Sequence, residues 1–512
     1  MGTLEELALH ALAREPARPC IEFEERWITW GEMRHVAERL GSFIDASGAP
    51  PGVPVALIAR NRPSAVAALL GLISKGCSIR MVYAFQSAAA MARDVERLKP
   101  SVVVGAAGDF GADMVAVLRA HGAVAVALSD MDATLVPGLE RCGCRDIAVP
   151  AVPAVPAEPR LEILTSGTTG PPKHFAISFE VIARHHVGVN FLTPAPAPAS
   201  AVPAAAAAPP GTDPQGLPPM LLFFPLGNIS GIYSTIPTML RGRRAELWDR
   251  FSVAAWHRHV LRYRPELSGV PPAGVQMVLD ANIPPADLAS IRLLSTGAAP
   301  LDPTVQRAFE ERYGIPILLS YGATEFGGPV AAMTADLYPE WGKQKFGSVG
   351  RPLPGAQLRV IDPDTGEVLP AGKEGLLEVV SPRLGPDWIR TSDIAFLDED
   401  GFLFHRGRAD GAIMRGGFKV LPETIERALL LHPAISAVAV VGVPDSRLGQ
   451  VPAAAVQIKP GFSVPVTSDL EAHLRAHILA THIPVKWRFV QELPKNPSMK
   501  TDRPAVLRLF MV

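Results

Sequence analysis

The sequence predicts an α/β protein in two bodies: a large N-terminal domain of α/β subdomains with largely parallel sheets, and a small C-terminal α+β domain. Three features point to it. The chain has 512 residues, too many for one core at roughly 100–200 residues per domain. Between 53 and 130, continuous apolar runs alternate with helical stretches, the pattern of parallel strands covered on both faces. Around 408–411 the texture changes, and the remaining stretch of about a hundred residues reads as an α+β unit. The expected division is therefore 1–408 and 409–512.

In order, 53–60 (VPVALIAR) reads as a buried strand and 64–75 (SAVAALLGLISK) as a helix. A strand at 78–83, a helix at 88–98, a strand at 101–105 (SVVVG), a helix at 114–121 and a strand at 123–128 (AVAVAL) complete a βαβ series. Residues 145–160, rich in Val, Pro and Ala, connect it to a second block. Residues 194–219 (PAPAPASAVPAAAAAPPGTDPQGLPP) are low in complexity, and their prolines break any helix, so a partly polyproline surface insertion is expected. Regular elements resume from Leu221. In the last hundred residues Pro422 opens a helix, with Glu423 and Glu426 near its positive end and Pro433 after it. Strands at 438–443 and 453–458 come next, then a helix at 470–479.

Composition excludes several classes of function. Lys plus Arg number 49 against 50 Asp plus Glu, a net charge of −1, which does not suit bulk binding to nucleic acid or anionic lipid. Apolar residues make up 48%, so disorder is excluded. Four cysteines rule out a disulfide scaffold; Cys142 and Cys144 form a CxC without the second pair a zinc site needs. No run of about 18 apolar residues predicts a membrane span, and the N-terminal segment does not read as a secretory signal, so the expected location is cytoplasmic.

At 164–174 (LTSGTTGPPKH) hydroxyls, glycines and one lysine crowd into a short stretch. Gly167 and Gly170 let backbone N–H groups approach an anion closely; Thr165, Ser166, Thr168 and Thr169 add rotatable donors, and Lys173 adds charge. Together they suit a polyphosphate. The Walker pattern needs GK followed by Ser or Thr and leads into a helix; here two prolines precede Lys173 and His174 follows, which disfavours a P-loop phosphotransferase.

Residues 165–173 (TSGTTGPPK) resemble the signature loop of the adenylate-forming (ANL) superfamily, in its acyl- and aryl-CoA synthetase branch. The other family motifs have counterparts in order: 321–325 (YGATE), 347–355 (GSVGRPLPG), 390–393 (RTSD, for the usual TGD), 407–426 (GRADGAIMRGGFKVLPETIE) and 494–503 (PKNPSMKTDR). The resemblance implies the ANL fold, in which the C-terminal domain is mobile about a hinge, here near Asp410. It also implies ATP, Mg²⁺ and coenzyme A as cofactors, with a small carboxylic acid as substrate. It implies attack of the carboxylate on the α-phosphorus of ATP, then transfer of the acyl group to the CoA thiol.

The resemblance places roles residue by residue. The loop 165–173 holds the β and γ phosphates. Gly297, Ala298 and Ala299, in 295–301 (STGAAPL), together with Tyr321 and Gly322, belong to the nucleotide site, with Tyr321 stacking on adenine. Thr324 meets the α-phosphate, and Glu325 holds Mg²⁺, a hard cation that prefers carboxylate oxygen. Asp393 accepts from the ribose hydroxyls, Arg408 offers a planar donor fork, and Lys500 is the catalytic cation. Gly416, Gly417 and Lys419 face CoA. Asn228, in 225–232 (PLGNISGI), stands where relatives carry a His or other aromatic gate; with Ile232, Ala323, Phe326 and Gly327 it is expected to form a roomier or more polar acid pocket. Three positions depart from the family besides Asn228: Ser392 replaces a glycine, Met414 a lysine, and Met499 the glycine before Lys500. Two alternatives stay open, an acyl-AMP ligase serving a separate carrier protein and a degenerate nucleotide- or acid-binding member. The oligomeric state is not fixed, a homodimer being a common family habit.

Overall fold

The computed structural model describes residues 2–49, 52–141, 158–165, 173–187, 217–415, 418–445, 448–497 and 499–511. The chain divides into two compact units, Met1–Arg250 and Phe251–Val512. Among the described residues no helix is long and apolar enough to cross a membrane.

The first unit is built on a seven-stranded sheet. Its strand order is Asp132–Leu135, Val124–Ser129, Val102–Ala106, Val55–Ala59, Ile79–Tyr83, Arg160–Thr165 and Lys173–Ser178. The five inner strands are parallel, and an antiparallel strand closes each edge. Both faces are covered, which is why the strand sequences are continuously apolar. Val55, Leu57 and Ala59 share one core with Met33, Val36, Leu69 and Leu70 of the helices Trp30–Ala46 and Pro63–Ser74. Ala56 and Ile58 share the other with Met91 and Val95 of Ala88–Leu98 and Met114 and Leu118 of Ala112–Ala120. A four-stranded sheet in this unit runs Met220–Leu222, Ala245–Leu247, Pro19–Phe23, Arg26–Thr29.

The second unit opens with a five-stranded sheet. Leu267–Gly269, Leu293–Gly297 and Ile317–Ala323 are parallel, and Gly328–Ala332 and Arg351–Pro352 continue it antiparallel. An antiparallel sheet comes next, Gln357–Ile361, Gly375–Val380, Ile389–Leu397, Leu403–Arg408. Beyond Arg408, Ile413–Arg415, Phe418–Val420, Ile435–Asp445, Gly449–Ile458 and Lys486–Val490 form a last sheet. Its one face packs Ile425 and Leu429 of Pro422–Leu430 and Leu470 and Leu474 of Thr467–Arg475; the other packs Leu493, Val506 and Phe510. Pro422 takes the first helical position, as the sequence predicts. The helix expected at 470–479 is instead Thr467–Arg475: Leu470 and Leu474 complete its buried stripe, and Leu479 is exposed.

Candidate active site

The residues of the YGATE and RTSD motifs meet within the second unit. Gly297 is the carboxyl-terminal residue of Leu293–Gly297, with Ala298 and Ala299 after it, and it pairs in parallel with Ser320 of Ile317–Ala323, the strand that carries Tyr321 and Gly322. Carboxyl ends of parallel strands are where open α/β sheets bind ligands. Gly322 is required there: a Cβ would lie 2.5 Å from the Gly328 carbonyl oxygen of the returning strand. Thr324, Glu325 and Phe326 make one 3-10 turn, and Gly327 reverses the chain with φ +67°. Glu325 is exposed and Thr324 half-buried. Phe326 is 2% exposed and belongs to the core with Val330, Leu377 and Val379, so its ring fills the interior beneath Tyr321.

Asp393 sits on Ile389–Leu397, nearly buried at 8% exposure, opposite Arg408 on Leu403–Arg408. The Tyr321 hydroxyl donates to Asp393 Oδ2, and His405 Nε2 lies 3.3 Å from Oδ1. Burial alone would raise the Asp393 carboxyl; His405, the Tyr321 hydroxyl and the Arg408 charge outweigh it and hold the group below the usual carboxylate value. Burial, reinforced by Asp393, pushes the Tyr321 phenol upward. Arg408 Nε donates to Asp410 Oδ1 at 2.8 Å, and Nη2 donates to Asp410 Oδ2 and Ser392 Oγ, each at 2.6 Å. The bond to Asp410, ahead of the Asp393 charge, raises the Arg408 guanidinium further. Ser392, at the position of a family glycine, thus orients the guanidinium.

A register shift between Ile394 and Ala395 makes this cluster. Ala395 pairs with His405 but Ile394 pairs with Gly407, so Arg406 is the extra residue of a bulge. The bulge turns His405 and Arg408, three residues apart, to the face of Asp393. Gly407 is needed at its centre, with φ +148° and a Cβ position 2.6 Å from Glu423 Oε2.

Lys500 joins this group. It follows a tight turn bridged between Lys495 and Thr501. The Asn496 N–H donates to the Lys500 carbonyl at 2.8 Å, and the Lys500 N–H donates to Asn496 Oδ1 at 3.0 Å. Met499 supplies the left-handed residue, φ +60°, that the family glycine would supply. Three residues on, Arg503 is anchored by the Val440 carbonyl at 2.6 Å and Glu423 at 3.0 Å. The Lys500 side chain keeps a path to solvent, yet protein packed about its ammonium, and then the Arg408 charge, lower it from the ordinary lysine value while Glu325 opposes. The charges of Arg408 and Glu325 act on Lys500, and Arg408 links them to Asp393 and Tyr321, so two cations and two carboxylates share one electrostatic neighbourhood.

Residues 9–386 match the AMP-binding enzyme family and residues 424–500 its C-terminal domain. The chain belongs to the AMP-binding enzyme family. Within the adenylate-forming superfamily it falls in the acyl- and aryl-CoA synthetase branch, the AMP-forming acid–CoA ligases. It is 30% identical to a sulfoacetate–CoA ligase of Cupriavidus necator over 93% of this chain and 91% of that one. It is 28% identical to an indoleacetate–CoA ligase of Aromatoleum aromaticum over 97% and 96%. The ATP-bound structure of MatB from Rhodopseudomonas palustris, 21% identical, superposes over 99% of both chains with a TM-score of 0.78, the same fold.

AMP-binding enzymes that act as CoA ligases use ATP, Mg²⁺ and coenzyme A. Glu325 fits Mg²⁺ as an exposed carboxylate in the neighbourhood of Lys500 and Arg408. Among the described residues no three His, Cys, Asp or Glu side chains gather to hold a metal. A cation here would be shared between Glu325 and substrate phosphates, whose charge it would offset.

In the first unit, Thr165 and Lys173 pair across an antiparallel hairpin between Arg160–Thr165 and Lys173–Ser178. The chain thus leaves the loop into a strand, whereas a Walker loop leads into a helix. Ser166, Gly167, Thr168, Thr169 and Gly170, and the side chains of Thr165 and Lys173, lie outside the described residues. So do Gly416, Gly417, the Lys419 side chain, Cys142, Cys144, residues 145–157 of the connector and residues 194–216 of the insertion. Met414 is exposed, and Arg415 donates to the Thr481 carbonyl. Asn228 is half-buried at the start of Ile229–Leu240, and Ile232, on that helix, is 3% exposed in the core.

Sequence reasoning missed His405, because an isolated histidine inside a strand carries no motif. Its signal was its place three residues before Arg408.

Proposed function

We propose that this ligase adenylates a carboxylic acid with the residues named above and passes the acyl group to CoA. A carboxylate oxygen bonds to the α-phosphorus of ATP as the bond to the β-phosphate breaks, releasing pyrophosphate. The CoA sulfur then bonds to the acyl carbon, the thiol proton is lost, and AMP leaves. Two anions meet in the first step, so positive charge must be held where it develops. Lys500 and Arg408 supply it, Thr324 contacts the α-phosphate, and residues 165–173 hold the β and γ phosphates. Asp393 takes the ribose hydroxyls, while Tyr321, Gly322 and residues 297–299 take the base. Glu325 holds Mg²⁺.

The single observation carrying this reading is Lys500 in one electrostatic neighbourhood with Arg408 and Glu325. The Lys500 ammonium is crowded by protein and by the Arg408 charge, with Glu325 opposing, so an incoming anion would favour its charged form. We further propose the division 1–408 and 409–512, with Asp410, clamped by Arg408, as the hinge. Rotation there would withdraw Lys500 and bring Gly416, Gly417 and Lys419 toward CoA. The acid is proposed to be bulky or polar-tipped, since Asn228 replaces an aromatic gate and the relatives' named acids include sulfoacetate and indoleacetate.

The test is ATP–pyrophosphate exchange across aliphatic, aryl, alicyclic and sulfonated acids, followed by thioester formation with CoA. Exchange with at least one acid and a CoA thioester of that acid are expected. Exchange without thioester would move the function to a carrier-protein acceptor; no exchange with any acid would defeat the ligase reading.

A further inference from the structure

We propose that His405 is a positioning residue for nucleotide recognition, holding the Asp393 carboxylate so that it can take both hydroxyls of a ribose at once; the proposal rests on the adenylate reading above. A carboxylate has two oxygens with two lone pairs each. Here Tyr321 donates to Oδ2, and His405 Nε2 is within hydrogen-bond range of Oδ1 at 3.3 Å. One lone pair on each oxygen remains, and a vicinal diol needs two acceptors side by side. An ionised carboxylate only accepts, so the shared proton is on His405 Nε2.

The imidazole has little freedom. Its side chain is 17% exposed, its ring centroid is 6.0 Å from that of Tyr321, and the bulge at Arg406 sets its strand position opposite Ala395. Without His405, Asp393 would keep a protein donor on Oδ2 alone and could turn about its last torsion. His405 thus acts on the nucleotide through Asp393, with the ribose hydroxyls as the atoms that feel it.

The test uses the full chain and titrates AMP and 2′,3′-dideoxy-AMP by calorimetry, so it needs no knowledge of the acid. His405→Leu removes the donor; His405→Phe removes it but keeps a flat ring; His405→Gln restores an N–H at a similar reach. Loss of one hydrogen bond to a charged group predicts about tenfold weaker AMP binding in His405→Leu and His405→Phe. The dideoxy nucleotide should be affected less than about twofold, and His405→Gln should stay within about threefold of wild type for AMP. Equal weakening of both nucleotides would make His405 a packing residue and overturn the proposal. Unchanged AMP binding in either apolar variant, or a His405→Gln variant as weak as His405→Leu, would overturn it too. Should the apolar variants not fold, His405→Gln decides alone: AMP binding within about threefold of wild type is expected, and AMP binding about tenfold weaker would overturn the proposal. If wild type binds no AMP, the adenylate reading itself falls and this proposal with it.

Discussion

Met499 sits at φ +60°, where a side chain costs about 1–2 kcal/mol and glycine costs almost nothing. The motif alone leaves the position of Lys500 in question, because the family glycine before it is absent. The turn resolves this by keeping the glycine conformation and clamping it with Asn496, whose backbone and side chain bond Lys500 on both sides. Met499→Gly would relieve the strain but add freedom to the unfolded chain worth about 0.4–1 kcal/mol. A net gain of about 0.5 kcal/mol in denaturant unfolding is expected, with the exchange rate within about threefold of wild type. A large gain in exchange would mean that Met499 displaces Lys500.

Among the strands and helices, Arg160–Thr165 leads into the phosphate-loop motif and is pinned by a buried acid. Glu162, 4% exposed, pairs in register with Arg80, whose Nε donates to it at 2.7 Å, and accepts from Arg160 Nε at 2.8 Å. Burial by itself would raise this carboxyl, but the two arginines hold it below its ordinary value. A carboxylate depressed on folding contributes stability that is full above its unfolded value, about 4.3, and is lost as pH falls through the folded value. Glu162→Gln should therefore cost about 1 kcal/mol at pH 7, allowing for solvent screening at Arg160, with the gap to wild type closing below about pH 4. Urea unfolding at pH 7, 5 and 3.5 checks this; a gap that widens toward acid would reverse the assigned sign. The βαβ series is legible because its strands are apolar on both faces, so their pattern needs no partner to be read. The flanking antiparallel strands Asp132–Leu135 and Lys173–Ser178 are not, since both are short and polar-interrupted edge strands. The bulge at Arg406 is equally invisible: it depends on register between strands, which local sequence does not encode.

Across the full chain, the motifs reveal which residues matter, and folding determines how they cooperate. Tyr321, Asp393, Arg408 and Lys500 are each legible through resemblance to the family motifs, but over 170 residues separate the first from the last. Their shared neighbourhood follows from the Asp393–Arg408 strand pairing and from Arg503 tying the Lys500 segment to Glu423. Phe326, expected in the acid pocket, packs with Val330, Leu377 and Val379, a partnership that an aromatic beside a glycine pair does not reveal in the sequence. The proposed function gives Lys500 a part in the adenylation step and none in the transfer to CoA. Lys500→Ala assayed separately in the two half-reactions distinguishes these roles. Acyl-adenylate formation from ATP is expected to fall about 10²–10³-fold, while thioester formation from preformed acyl-adenylate and CoA stays within a few-fold of wild type. Equal loss in both half-reactions, or none in adenylation, would contradict that assignment.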